Sequence, residues 1–102
     1  MSKLEEQFAL QLKAEGIEGW EREYKFHPER RFRLDFAFLT QKVGVEIQGG
    51  TWIAGRHSGG VGFERDCEKF NLATLFGWKI LKFTGKHIKN GQAIEWIKEA
   101  LF

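Results

Sequence analysis

The sequence predicts an α/β domain, a mixed four-stranded sheet flanked by helices in the order α-β-β-β-α-β-α. Three observations predict it. From Phe32 to Gly50, FRLDFAFLTQKVGVEIQGG, apolar residues alternate with others on both sides of Thr40 and Gln41, the two-residue period of a strand folded back on itself. Trp78 to Thr84, WKILKFT, is a further strand-like run, and the helical spacing before it gives strand, helix, strand, which allows a parallel crossover. Both ends of the chain carry apolar residues at helical spacing. At 102 residues the whole chain, 1–102, is one domain with room for a real core and none for a second.

The first helix is expected over Ser2 to Glu15, with Leu4, Phe8 and Leu12 as its apolar stripe and Gly16 as its stop. Ser2 followed by Glu5 has the form of a capping box. Glu5 also lies near the buried stripe, so it has two readings: a cap, or a third acid directed at the hairpin. Glu21 to Phe26, EREYKF, is expected as an edge strand, broken by His27 and Pro28. The glycine-rich TWIAGRHSGGVGF after the hairpin reads as a loop that can approach a ligand. Glu64 to Phe76 is expected as the second principal helix, with Phe63, Cys67, Phe70 and Thr74 as one stripe, Ala73 beside it and Gly77 as its stop. Gly85 to Gly91 reads as a basic loop, and Gln92 to Phe102 as a closing amphipathic helix with Ala93, Ile97 and Ala100 or Leu101 inward.

If the hairpin reverses between Thr40 and Gln41, Phe38 faces Val43, Phe36 faces Val45, Leu34 faces Ile47, and Asp35 faces Glu46. One face of the hairpin is then apolar, and the other carries Arg33, Asp35 and Ala37 against Gly44, Glu46 and Gln48. Two carboxylates among large apolar residues are costly unless compensated, and a divalent metal is the compensation that also does chemistry. The alternative is a solvated face with surface acids. Small Ala37 and Gly44 leave room for close approach, and Gly49-Gly50 give backbone freedom beside the acids.

The formal net charge is only +2, but its distribution is uneven. Lys69, Lys79, Lys82, Lys86 and Lys89 occur without an acid between Lys69 and Ile94, and Arg30, Arg31 and Arg33 crowd the hairpin entrance. Such clusters suit a phosphate backbone or a merely solvated flank. In the glycine-rich loop, Arg56 can reach a phosphate and His57 can relay a proton, or both are ordinary polar residues. Asp66 and Lys69 are either an i,i+3 surface pair or a border of the site. The single Cys67 excludes an internal disulfide and fits a reducing compartment or metal-free burial. With no apolar run of membrane-spanning length and no signal-peptide core, the chain is expected to be intracellular, with no membrane partner.

Taken together, SKLEEQF, RRFRLDFAF, VGVEIQGG, GRHSGGVGFERDCEKFNLATLFGW and KILKFT resemble the restriction-endonuclease-like, or PD-(D/E)XK, superfamily. The chain is especially similar to its small very-short-patch-repair-like and phage-encoded endonuclease-domain members. The resemblance implies that Asp35 and Glu46 are the motif acids and that Glu5 matches an acid often found in the first helix. It also places Gln48 where a lysine usually stands, a departure that removes a charge. His57, Asp66 and Lys69 match recurrent positions that would supply the missing basic or proton-transfer function.

The implied activity is metal-assisted hydrolysis of DNA phosphodiesters, by a nicking or branched-DNA-processing endonuclease. Asp35, Glu46 and a backbone carbonyl near Ile47 would hold Mg²⁺, with Mn²⁺ able to substitute. Gln48 would align the water, Glu5 would position a second ion or its waters, and His57, Lys69 or Arg33 would stabilise charge. Arg31, Arg33, Arg56, Lys82 and Lys86 would hold DNA, and the setting implied is the cytoplasm of a prokaryotic or phage-infected cell. One acid pair makes one hydrolytic centre, so opposed cuts would need either two molecules, as a homodimer through Trp52-Ile53 or the last helix, or sequential reorientation. The alternative is a catalytically inactive nuclease-fold protein that binds nucleic acid or serves assembly.

Overall fold

A computed structural model of the chain describes residues 2–48 and 60–102. Helix α1 (Lys3–Ala14) leads into strands β1 (Trp20–Lys25), β2 (Arg33–Phe38) and β3 (Val43–Gln48). Helix α2 (Gly60–Leu75), strand β4 (Lys79–Thr84) and helices α3 (Gly85–Lys89) and α4 (Gln92–Leu101) follow. The sheet order is β1-β2-β3-β4, antiparallel across the first two pairs and parallel between β3 and β4, as the predicted mixed sheet requires. None of the described helices is long and apolar enough to cross a membrane.

Local chemistry sets the boundaries. Ser2 Oγ accepts from the Glu5 amide and caps α1, and Gly16 leaves it with φ +71°, a conformation costly for any residue with a Cβ. Glu5 does not close the other half of the box; its side chain turns toward Arg22. The segment read as a basic loop after Thr84 instead opens with the single turn of α3. Thr84 Oγ1 accepts from the His87 amide while His87 Nδ1 accepts from the Thr84 amide, a reciprocal cap in which histidine replaces the usual glutamate.

The sheet separates two apolar layers. On one face Phe8 and Leu12 of α1, Ile88 of α3 and Ala93, Ile94 and Ile97 of α4 pack on Phe36, Phe38, Val43, Val45 and Phe83. Phe8 meets Phe36 and Phe83 edge-on at 5.1 and 5.6 Å. On the other face Leu72 and Ala73 of α2 cover Leu34, Ala37, Ile80 and Trp78. The expected α2 stripe is thus rotated. Phe63 is 54% exposed, and Cys67 and Thr74 are also exposed, whereas Lys69, Phe70, Leu72 and Ala73 turn inward.

Phe36 pairs with Val45, Ala37 with Gly44 and Phe38 with Val43, the register the sequence predicts. The expected placement of Leu34 is corrected. Leu34 and Phe36 pack into opposite layers although two residues apart, so strict alternation breaks between them. The neighbouring strand breaks at the same level: Arg22 lies over Phe36, Tyr24 lies against Trp78, and Glu23 between them has φ 52°. A left-handed conformation is uncommon away from glycine and re-aims the side chain, as bulges do beside functional sites.

Gly44 is buried where Leu34 and Ile80 close over the strand. A Cβ there would stand 2.7 Å from Leu34 Cδ1 and 2.8 Å from Ile80 Cδ1. Leu34 is fully buried and has little room to withdraw. Gly44→Ala is therefore expected to lower stability by about 1–2 kcal/mol through overpacking. An unchanged urea midpoint would show that the layer under α2 is looser than its packing implies.

Candidate metal centre

Where the alternation breaks, the acids take over from the backbone ladder. Beyond Phe36 and Val45, the Asp35 amide donates to Glu46 Oε2 at 3.1 Å and the Ile47 amide donates to Asp35 Oδ2 at 2.7 Å. Each of these two acids thus satisfies a main-chain donor of the opposite strand, which leaves β2 and β3 bridged by side chains. Glu46 is 9% exposed, and its second oxygen accepts from Lys69 Nζ of α2 at 2.8 Å.

Asp35 also belongs to a second group. One oxygen each from Glu5 of α1, Glu23 of β1 and Asp35 of β2 lie within 4.8 Å of one another. Glu23 is the member that reading the sequence missed. In the pairing of β1 with β2, Arg22 meets Phe36 and Tyr24 meets Leu34, which leaves Glu23 at the level of Asp35. Arg22 flanks this group, with Nη2 3.0 Å from Glu6 and 3.7 Å from Glu5. Glu5 Oε1 is buried without a hydrogen-bond partner.

The electrostatics follow from this crowding. Burial raises the Glu46 carboxyl above the ordinary range; the Lys69 hydrogen bond pulls it down and the Asp35 charge pushes it up. Burial also raises Asp35, against the Ile47 amide and Lys69 and with Glu23. Glu5 is raised by burial, then by Asp35 and Glu23, with Arg22 opposing. Glu46 has Lys69 as its cation, whereas Asp35 and Glu5, gathered with Glu23, belong to an acid group short of positive charge. Their donors are all hard oxygens, the set that magnesium, manganese or calcium takes, so these residues fit a divalent cation.

The other predicted site residues are dispersed around this centre. Gln48 is exposed at the end of β3, paired in register with Thr84. Lys82 is in register with Glu46 and sits 3.8 Å from the Phe70 ring centroid. Arg33 is exposed, 4.0 Å from Glu23, and Arg31, Asp66 and Lys86 are exposed. Arg56, His57, Gly49-Gly50 and Trp52-Ile53 lie outside the described residues.

No protein-family model matches the chain, and no curated protein matches it. Among solved structures, the catalytic domain of the homing endonuclease I-Bth0305I is similar with a TM-score of 0.68 at 14% sequence identity, over 98% of this chain and 94% of that one. At that identity the likeness concerns architecture. The chain thus shares the fold of that catalytic domain, and among its described residues Glu5, Glu23 and Asp35 form an acidic cluster able to take a metal ion.

Proposed function

We propose that this chain is a metal-dependent DNA endonuclease, a nicking or branched-DNA-processing enzyme that cuts one strand per centre. The observation that carries the reading is the convergence of Glu5, Glu23 and Asp35 from three separate elements, beside a nearly buried Glu46–Lys69 pair. A purely structural role accounts poorly for it, because gathering three acids, two of them (Glu5 and Asp35) with carboxyls that burial makes harder to ionise, costs stability. Asp35 and Glu46, with the Ile47 carbonyl and with Glu5 and Glu23 at hand, would hold Mg²⁺, and Mn²⁺ would substitute. Bound there, such an ion lowers the pKa of an attacking water and offsets charge on the scissile phosphate.

The remaining residues divide the rest of the work. Lys69 supplies the cationic charge that Gln48 cannot, from a helix instead of the strand. The Gln48 amide orients water, since it both donates and accepts hydrogen bonds. Arg31, Arg33, Arg56, Lys82 and Lys86 hold the phosphate backbone, and His57 would relay a proton. A single centre nicks; two opposed cuts need two protomers about a two-fold axis. Trp96 of α4, 36% exposed, lies on a helix available for such pairing.

A second reading, an inactive nuclease-fold protein that binds nucleic acid, is favoured by Gln48 alone. Plasmid, single-stranded and branched DNA incubated with Mg²⁺ or Mn²⁺, beside an Asp35→Asn control, separates the two. Cleavage that needs both metal and Asp35 supports the enzyme; DNA binding without cleavage supports the alternative. Replacing Arg31, Lys82 or Lys86 by alanine is expected to weaken binding evenly across sequences and to reduce the salt slope by about 1 for each phosphate no longer neutralised. An unchanged slope in all three variants would remove these residues from the DNA path.

A further inference from the structure

We propose that Lys69 is a resident counter-cation of Glu46 that gives up the carboxylate to a divalent ion, so that metal loading frees its ammonium for a phosphate. The inference rests on the metal-centre reading above and concerns how that centre is assembled.

Geometry points to an exchange. Lys69 Nζ stands 2.8 Å from Glu46 Oε1, and the two side chains are only 15% and 11% exposed. Glu46 Oε2 is taken by the Asp35 amide. Glu46 therefore has a protein donor on each oxygen, and Lys69 fills the cationic position beside it. A magnesium ion binds a carboxylate oxygen at about 2.1 Å, which would set a double positive charge close to that ammonium. Like charges in so dry a place repel strongly, so the cation that can move gives way.

Lys69 is the cation that can move. Its four-carbon stem is flexible and its ammonium is a compact point charge. A second resting place adjoins it, because Lys69 Nζ is 5.5 Å from the Phe70 ring centroid. Lys82 Nζ already lies 3.8 Å from the same centroid. With a phosphate present to offset their mutual repulsion, an ammonium released from Glu46 would approach Lys82 beside this ring, and the two ammonium groups would share that phosphate. The coupling is reciprocal: a phosphate that draws Lys69 away from Glu46 strengthens metal binding by the factor by which metal strengthens phosphate binding. The centre would then be completed by its substrate.

The test uses Mg²⁺ itself and reads binding, not turnover. Calorimetry gives the Mg²⁺ Kd of the wild-type protein and of Lys69→Met, Lys69→Arg and Asp35→Asn, while the side-chain ¹⁵N–¹H signal of Lys69 is followed in the wild type during the same titration. Lys69→Met is expected to bind Mg²⁺ at least about five-fold tighter, within the usual range of coupling between sites, and Lys69→Arg no tighter. The Lys69 signal should leave its Glu46-paired position with the midpoint of metal binding, and should stay fixed in Asp35→Asn. Should Lys69→Met fail to fold, the wild-type signal decides. Asp35-dependent binding with an unmoved Lys69 signal overturns the exchange and leaves the metal centre standing. Absence of Asp35-dependent binding overturns both.

Discussion

Asp35→Asn is expected to remove metal-dependent cleavage, by about a thousand-fold or more, and at the same time to raise the melting temperature of the metal-free protein. The loss follows if Asp35 is a charged ligand, because an ion's contribution to phosphodiester cleavage amounts to several kcal/mol and each 1.36 kcal/mol is about ten-fold in rate. The gain follows from the same crowding. Asparagine keeps an oxygen for the Ile47 amide and removes one negative charge from the group with Glu5 and Glu23. Its sign can be checked against pH. Asp35 has a folded pKa raised above its unfolded value, so the cost of its charge is absent below the unfolded pKa and complete above the folded one. The variant's advantage should vanish in acid and grow as pH rises through the carboxylate range. Adding Mg²⁺ should reverse the order, since only the wild type gains stability by binding. Wild-type cleavage by the variant would remove Asp35 from the centre. A lower melting temperature at every pH would refute the account of repulsion.

Much of this site was legible in the sequence, and the illegible part has a definite cause. Alternation about Thr40 and Gln41 fixes the pairing of Phe36 with Val45 and Phe38 with Val43, because a one-residue slip would turn every apolar side chain outward. Spacing along α1 places Glu5 beside the buried stripe, and its side chain does approach Asp35. Alternation fails where the chain departs from it: the left-handed Glu23 and the split between Leu34 and Phe36 are backbone irregularities that no two-residue pattern encodes. Glu23 was missed for that reason. The face of α2 was misjudged for another. Its inward residues concentrate in its C-terminal half, so Phe63 and Cys67 carry an apolar pattern with no described layer beneath them. Lys69 was readable either as a surface partner of Asp66 or as a border of the site, and spacing alone could not choose; the rotation of the helix turns it onto Glu46.

Asp35 and Glu46 should differ in what they do for stability. Glu46→Ala is expected to destabilise the fold by about 3 kcal/mol, since removing one member of a buried pair leaves the other charge uncompensated. Lys69, 15% exposed, would be that charge, and the Asp35 amide would lose its acceptor as well. Against a total stability of roughly 5–15 kcal/mol for a domain, such a loss is readily measured. The cause can be isolated. Adding Lys69→Met to Glu46→Ala removes the stranded ammonium and should recover part of the loss, because apolar replacement of both partners is often close to neutral. Comparing urea midpoints for the wild type, the two single variants and the double variant yields the interaction directly. A double variant no more stable than Glu46→Ala would mean that the ion pair is not the source of the cost, and the missing acceptor for the Asp35 amide would carry it. The contrast with Asp35→Asn is then informative in itself. Asp35 joins a group of acids short of positive charge, whereas Glu46 already has a cation, so neutralising the first should relieve the fold and truncating the second should harm it.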